Sequence, residues 1–318
     1  MRPFGLLFVS ILVFASSSAR ASEHDAPARE PAKDPPARAL QNDLQTQSGS
    51  ELSLSASHYA YVEPNVNRVG GNVRFEGPKI GVDYSRTFKF DERRHLFFIA
   101  NLRGLVGDVI YTSPTQTALV MSDPADPSRS VVTRSVGPDV QQFGVSDWYV
   151  EGRALIGKDF VKRGWVLSPY VGVGFRHLSN LKGQRQQDYL YLPFGISVQT
   201  SALLKRKIEF KLEADVLLQG WQQTRFSQLP PSGTFLSATD VKFNQRLGGA
   251  LRTSAKVHLD RRWSLEPYFI HWVIDRSSVD TSIIQFTNTA GQPAQLSAVL
   301  VEPFNFTNEF GVKLGLRF

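Results

Sequence analysis

The feature that most constrains this chain is the two-residue alternation of its last segment, Asn308-Glu309-Phe310-Gly311-Val312-Lys313-Leu314-Gly315-Leu316-Arg317-Phe318. Successive side chains of an extended strand point to opposite faces. Phe310, Val312, Leu314, Leu316 and Phe318 therefore share one face, and Glu309, Gly311, Lys313, Gly315 and Arg317 the other. Around Lys207–Leu217 the pattern returns: Ile208, Phe210, Leu212, Ala214 and Val216 alternate with Lys207, Glu209, Lys211, Glu213 and Asp215. A single strand of this kind also suits a sheet with one face in water. Repetition along the chain argues instead for an apolar face toward lipid and a charged face toward a wet lumen.

From Glu51 onward, segments of alternating polarity predict strands near 50–62, 78–90, 95–111, 142–157, 165–179, 187–201, 206–221, 243–259, 262–276 and 304–318. The expected fold is all-β, a closed antiparallel transmembrane barrel of about ten strands, the even count leaving both barrel ends on one side with no exposed edge. Connections alternate in length. Short charged turns fall at Asp91-Glu92-Arg93-Arg94, Lys158 to Gly164, Leu203 to Lys205 and Asp260-Arg261, and long polar loops at about 63–77, 112–141, 222–242 and 277–303. Short periplasmic turns and longer external loops are the habit of such barrels. Phe88, Phe90, Trp165, Trp263 and Phe318 near the short turns, with Trp221 and Trp272 toward the long loops, are expected to form two aromatic girdles at headgroup depth.

The N-terminus reads as an export signal over 1–21: Arg2, an apolar run from Phe4 to Phe14, and the small-residue site Ala19-Arg20-Ala21. That run is too short to cross a bilayer, and no later stretch approaches the roughly 18 apolar residues a transmembrane helix needs. Residues 22–48, rich in Ala, Pro and mixed charge, are expected to be a disordered periplasmic leader, with the barrel over 49–318. The chain has no cysteine, which excludes disulfides, thiolate chemistry and a lipoprotein anchor. Its net charge of +7 is spread over short turns without a basic helix or aromatic-interleaved motif, so no nucleic-acid partner is expected.

The alternating row that ends at Phe318 resembles the carboxy-terminal signal read by the barrel-assembly machinery in bacterial outer-membrane proteins. That resemblance covers the terminal strand, Phe310, Val312, Leu314, Leu316 and Phe318. Gly172-Val173-Gly174-Phe175-Arg176, followed by Tyr189-Leu190-Tyr191-Leu192-Pro193-Phe194-Gly195, is similar to many barrels of the same superfamily. It implies the outer membrane of a Gram-negative cell, contact with outer-membrane lipid and lipopolysaccharide, and engagement of the assembly machinery during biogenesis.

Parity assigns Lys79, Asp83, Arg103, Glu151, Arg153, Arg176, Glu209, Lys211, Glu213, Asp215, Arg246, Arg252, Lys256 and Lys313 to the lumen. Ten strands enclose a narrow interior, whereas water-filled porins use about sixteen. Opposite charges there are expected to pair into a plug, giving a structural or surface-interaction role with any extracellular ligand at the long loops. A narrow, porin-like channel for small solutes is the alternative. Catalysis has one local candidate, His177-Leu178-Ser179-Asn180, which resembles the motif of outer-membrane lipid A deacylases. The resemblance implies a lipid-facing His177 acting as base for Ser179. The chain departs from that family in strand number and in the motif's distance from the C-terminus, and Asp188 is the only nearby acid. The bland reading places His177 at the headgroup interface. The ten-strand omptin proteases carry Asp-Asp and Asp-His pairs at the rim, and Asp108 and Asp147 stand isolated in this sequence. The six widely separated histidines suggest no metal site, and no cofactor is expected.

Overall fold

The computed structural model describes residues 45–64, 72–91, 93–123, 126–162, 164–200, 206–231, 233–288 and 291–318. The expected signal segment, the leader up to residue 44 and the Leu203–Lys205 turn lie outside the described residues.

The strands are β1 (Gly49–Glu63), β2 (Val73–Asp91), β3 (Leu96–Asp123), β4 (Asp126–Lys158), β5 (Phe160–Lys162), β6 (Trp165–Asn180), β7 (Arg185–Thr200), β8 (Ile208–Thr224), β9 (Phe235–Ala238), β10 (Val241–Gln245), β11 (Gly248–His258), β12 (Trp263–Ile274), β13 (Val279–Thr287), β14 (Pro293–Val301) and β15 (Asn305–Arg317). Ten of them close a ring, each antiparallel to its neighbours: β1, β2, β3, β4, β6, β7, β8, β11, β12 and β15, which returns to β1. In the closing seam Leu54 faces Leu314 and Ser53 faces Gly315. β5 and β10 are continuations, because Phe160 faces Leu167 in the register of β4, and Gln245 faces Gly220 in the register of β11.

Burial follows the pleat. Along β12 exposed and buried residues alternate almost throughout. Leu54, Ile80, Val106, Phe175, Phe194, Leu212 and Phe310 are exposed on the outside, while charged and tyrosine side chains are buried within. Apolar outside and polar inside inverts the order of a water-soluble sheet; it is the order imposed by a membrane, where a closed ladder satisfies every backbone group. Gly174 shows how the lumen is filled: a Cβ there would meet the Tyr191 ring at 2.2 Å, so only glycine lets that tyrosine lie across the strand.

The two ends differ. At the turn end, strands are joined by tight connections, among them the turn at 93–95 and residues 259–262. At the loop end, the expected loops contain more strand than parity alone indicated. Residues 112–123 and 126–141 are the continuation of β3 and β4, paired out to Asp123 and Asp126, because their own cross-strand hydrogen bonds persist beyond the barrel rim. The segments 222–242 and 277–303 contribute β9, β13 and β14, a separate three-stranded sheet in the order β14-β13-β9. The β6–β7 connection at this end is tight, a single 3-10 turn at Leu181–Gly183.

Candidate functional site: a filled lumen and its two ends

Three layers of side chains cross the lumen. Midway, Arg103 (3% exposed) donates through Nη2 to Glu309 Oε1 at 2.6 Å and to Tyr268 Oη at 2.5 Å. Glu309 also accepts from Tyr149 Oη at 2.8 Å and Tyr268 Oη at 2.8 Å. Lys313 reaches Asp83 at 2.8 Å, and Lys79 is ion-paired with Asp147 while its Nζ sits 3.5 Å from the Tyr59 ring centroid. The Arg176 guanidinium lies 4.1 Å from the Tyr149 ring, a cation–π contact, and its Nε and Nη2 have no hydrogen-bond partner among the described residues. Beside this layer Arg252 holds Glu151 with both terminal nitrogens, at 2.9 and 2.5 Å, and donates through Nε to Asp215 at 2.6 Å. Arg153 pairs with Glu213 at 2.5 Å and Tyr191 donates to Glu151 at 2.8 Å.

Such pairs in a dry interior hold only when every charge is met by an opposite charge and the remaining polar atoms are bonded. Of the expected lumen set all but Arg246 face the interior, with Tyr149, Tyr189, Tyr191, Tyr268, Trp272 and Glu309 added to it. Each of these six has the inward parity of a charged neighbour, so strict parity finds them; attention to formal charge passed over the aromatic ones.

Nearer the loop end, Arg185 donates to Glu63 at 2.6 Å and is paired with Glu302, and Tyr61 donates to Glu63 at 2.7 Å. Gln187 donates to Gln222 at 2.7 Å, which in turn donates to Glu302. Burial pushes the Glu302 carboxyl up to about 8, against the pull of Arg185 and with the help of the neighbouring Glu63 charge. Glu302 follows β14 and precedes β15, so no parity rule of a spanning strand could have placed it here.

Toward the turn end the lumen widens into a cavity of about 200 Å³, lined in part by Glu209, Lys211, Lys256 and Glu266. Lys256 bridges Glu51 at 2.6 Å and Glu266 at 3.3 Å, and Lys211 meets Glu209 at 3.2 Å. Asp159, 1% exposed, lies in the break between β4 and β5. It accepts from Thr46 N at 2.9 Å, Thr46 Oγ1 at 2.9 Å and Ser168 Oγ at 2.7 Å. Ser48 accepts from Lys89 N at 2.9 Å, so the chain is tied to the barrel before β1 begins.

Two expected positions are corrected. Arg246 is exposed instead of facing the lumen. Leu218 is skipped where β8 pairs with β7, and Arg246-Leu247 interrupts the strand between β10 and β11, so inward parity changes on both strands at this height. Phe243 and Gln245 face inward above the break and Arg252 below it. Trp272 is 2% exposed, not part of a girdle, because it shares the parity of Glu266, Tyr268 and Ile270; it stacks against Tyr189 at 5.9 Å. Phe88, Phe90, Trp165, Trp221, Trp263 and Phe318 are exposed as a girdle requires. On β15 Phe310, Val312, Leu314 and Phe318 are exposed and Leu316 is half-buried, one outward row.

His177 and Asp188 are cross-strand neighbours on β6 and β7, with Nδ1 to Oδ1 at 2.6 Å and the Trp148 ring 5.2 Å away. Ser179 is 3% exposed between Trp148 and Gln186, and no hydrogen bond joins it to His177 among the described residues. His258 and His271 stand toward opposite ends of the β11–β12 hairpin, opposite Ser264 and Leu251. No cluster of three or more potential metal ligands occurs among the described residues.

No protein-family model matches the chain, and no curated protein matches it. Among solved structures it is similar to the outer membrane protease OmpT from Escherichia coli, at 9% identity and a TM-score of 0.47, over 85% of this chain and 96% of that one. It is also similar to an outer membrane channel from Pseudomonas putida F1 (12% identity, TM-score 0.39, 90% and 99% coverage). A third is the translocator domain of the autotransporter NalP from Neisseria meningitidis (11% identity, TM-score 0.35, 88% and 93% coverage). The closed ten-strand antiparallel barrel stands on the register of this chain's own strands.

Proposed function

We propose that this chain is a non-conducting barrel of the bacterial outer membrane, exported by the signal at 1–21, with the leader and turn end in the periplasm. Its working surface is the external sheet at the loop end. The observation that carries the reading is the filled lumen: Arg103, Glu309, Tyr149, Tyr268, Arg252 and Glu151 are all nine-tenths buried, the first four bonded together and Arg252 bonded to Glu151 across the barrel. Opening a solute path through that layer would strand paired charges in a low-dielectric interior. The outward side of the external sheet offers the contrast of an accessible apolar ladder, with Val279 opposite Val301 and Thr281 opposite Val299. Val279 is 68% and Val299 70% exposed, and β14 pairs on one side only among the described residues. Exposed apolar surface beside a free strand edge is what a protein partner adds to. The outward row of β15 is the surface offered to the assembly machinery.

Planar-bilayer conductance of the refolded protein tests this, with heat-modifiable gel migration confirming that the barrel has formed. A folded and electrically silent barrel is expected. Discrete, reproducible conductance steps from wild type would overturn the reading in favour of the narrow channel.

The 2.6 Å His177–Asp188 contact favours a second reading, a lipid-modifying hydrolase with Ser179 as nucleophile. A carboxylate on Nδ1 orients an imidazole and leaves Nε2 to act as base. Incubation with lipid A, followed by mass analysis of its acyl chains, decides it: deacylation by wild type that Ser179→Ala abolishes supports a hydrolase, and an unchanged acyl pattern removes it.

A further inference from the structure

The strand break that turns Arg246 outward also sets it beside a second unpaired arginine. Ser278 N donates to Asn244 O at 2.8 Å, and Asp275 N donates to Leu247 O at 2.9 Å. Between these two cross-strand bonds Arg246 and Arg276 occupy facing positions, where antiparallel neighbours have Cα atoms about 4.5–5.5 Å apart. Both residues are exposed, and neither guanidinium has an ion-pair or hydrogen-bond partner among the described residues. Like charges at facing positions of a ladder repel. The nearby carboxylates are already engaged with backbone: Asp275 Oδ1 accepts from Arg276 N at 2.7 Å, and Asp280 accepts from Lys242 N at 2.7 Å and Thr281 N at 2.8 Å.

Height on the barrel narrows the occupant. Asn244, two residues from Arg246, faces Trp221, which is 43% exposed and belongs to the aromatic girdle of the loop end. On the other side of Arg246, Leu247 is 67% and Leu218 45% exposed, and the apolar belt begins. The pair thus stands where acyl chains give way to headgroups. Guanidinium forks match the geometry of phosphate oxygens and hold them bidentately.

We propose that Arg246 and Arg276 form a binding site for the phosphate of a membrane glycolipid, with Asn244 and Ser278 bordering the headgroup and Leu247 and Leu218 lying along its acyl chains. The site rests on the reading of the barrel as membrane-embedded but not on a silent lumen, so a conductance result leaves it untouched. The test is native mass spectrometry of protein released from phosphatidylcholine vesicles containing equal amounts of bis-phosphorylated lipid A and its dephosphorylated form. Both leaflets then carry the probe, which makes the result independent of orientation. Wild type is expected to retain the phosphorylated form at least tenfold over the dephosphorylated one. The Arg246→Ala/Arg276→Ala double variant should lose that preference, and Arg246→Lys/Arg276→Lys should keep part of it. Arg94→Ala, at the turn end, should match wild type. Heat-modifiable migration verifies folding of each variant. Equal retention by wild type and the double variant, or indifference to the phosphates, overturns the site. Binding of inorganic phosphate to wild type in detergent, without lipid retention, would overturn the lipid assignment in favour of a free anion.

Discussion

Leu314→Arg probes the face assignment most directly. Leu314 lies on the outward row of β15, 43% exposed, facing Leu54 on β1 and Leu265 on β12, themselves 62% and 40% exposed. Phe318, 71% exposed, marks the girdle at the turn end. From Phe318 to Leu314 is four steps, about 13 Å along the strand at roughly 3.3 Å per residue. A tilt of about 40° reduces this to about 10 Å of depth, against a half-thickness of about 12 Å for an apolar belt some 25 Å tall. The substituted arginine therefore falls near the midplane, where the cost is about 2–4 kcal/mol. Lys313→Arg is the matched control one residue away: its side chain points into the lumen and meets Asp83 at 2.8 Å, so a retained charge should cost less than Leu314→Arg does. Both variants are folded into vesicles across a urea series and the folded fraction is read from heat-modifiable migration. Equal midpoints for wild type and Leu314→Arg, or a larger loss for Lys313→Arg, would refute the assignment of faces.

Glu309→Gln should cost about 3–5 kcal/mol in the same urea series, because the buried Arg103 then keeps Asp83, at the longer distance of 3.5 Å, as its only carboxylate partner; an unchanged midpoint would show the layer to be hydrated. Asp159→Ala removes three hydrogen bonds that tie Thr46 and Ser168 at the turn end. Proteolytic cleavage just before Gly49 in detergent-folded protein should accelerate about tenfold or more, as loss of charge-assisted bonds worth about 1.5–3 kcal/mol each implies; wild-type cleavage rates would show that Asp159 is not the tie. At the loop end Glu302 keeps a proton in the folded state between its ordinary 4.5 and about 8. The folded state then binds more protons than the unfolded one, so the stability of the Arg185–Glu63–Glu302 cap falls as pH rises through that window and levels off above it. Hydrogen exchange of residues 300–306 should quicken from pH 5 to pH 8 beyond the intrinsic rate, and Glu302→Gln should flatten the profile.

Strand existence, strand parity and the alternation of connections were legible in the sequence because each depends on nearest neighbours along one chain. The pleat has period two, and a membrane on one side with water or paired charge on the other imprints that period directly on residue type. Hence β15, β8 and the turns at Asp91 and Asp260 are where the alternation puts them. The external strands β9, β13 and β14 were hidden because their alternation is weak: β14 reads Pro293-Ala294-Gln295-Leu296-Ser297-Ala298-Val299-Leu300-Val301, with apolar residues at both parities in its second half. Parity also fails at a bulge. Nothing near Arg246 in sequence announces that Leu218, on another strand, is skipped, yet that skip and the break beside Arg246 decide which way the arginine points.

The sequence alone determined that this chain forms a closed antiparallel barrel with an apolar exterior and a charged interior, since only that arrangement satisfies both the backbone and the alternating side chains in lipid. Which charge meets which was decided by tertiary structure. Arg103 and Glu309 are 206 residues apart, and Arg185 and Glu302 are 117 apart. Their contact depends on the shear and curvature of the whole ring, a quantity that no single strand encodes.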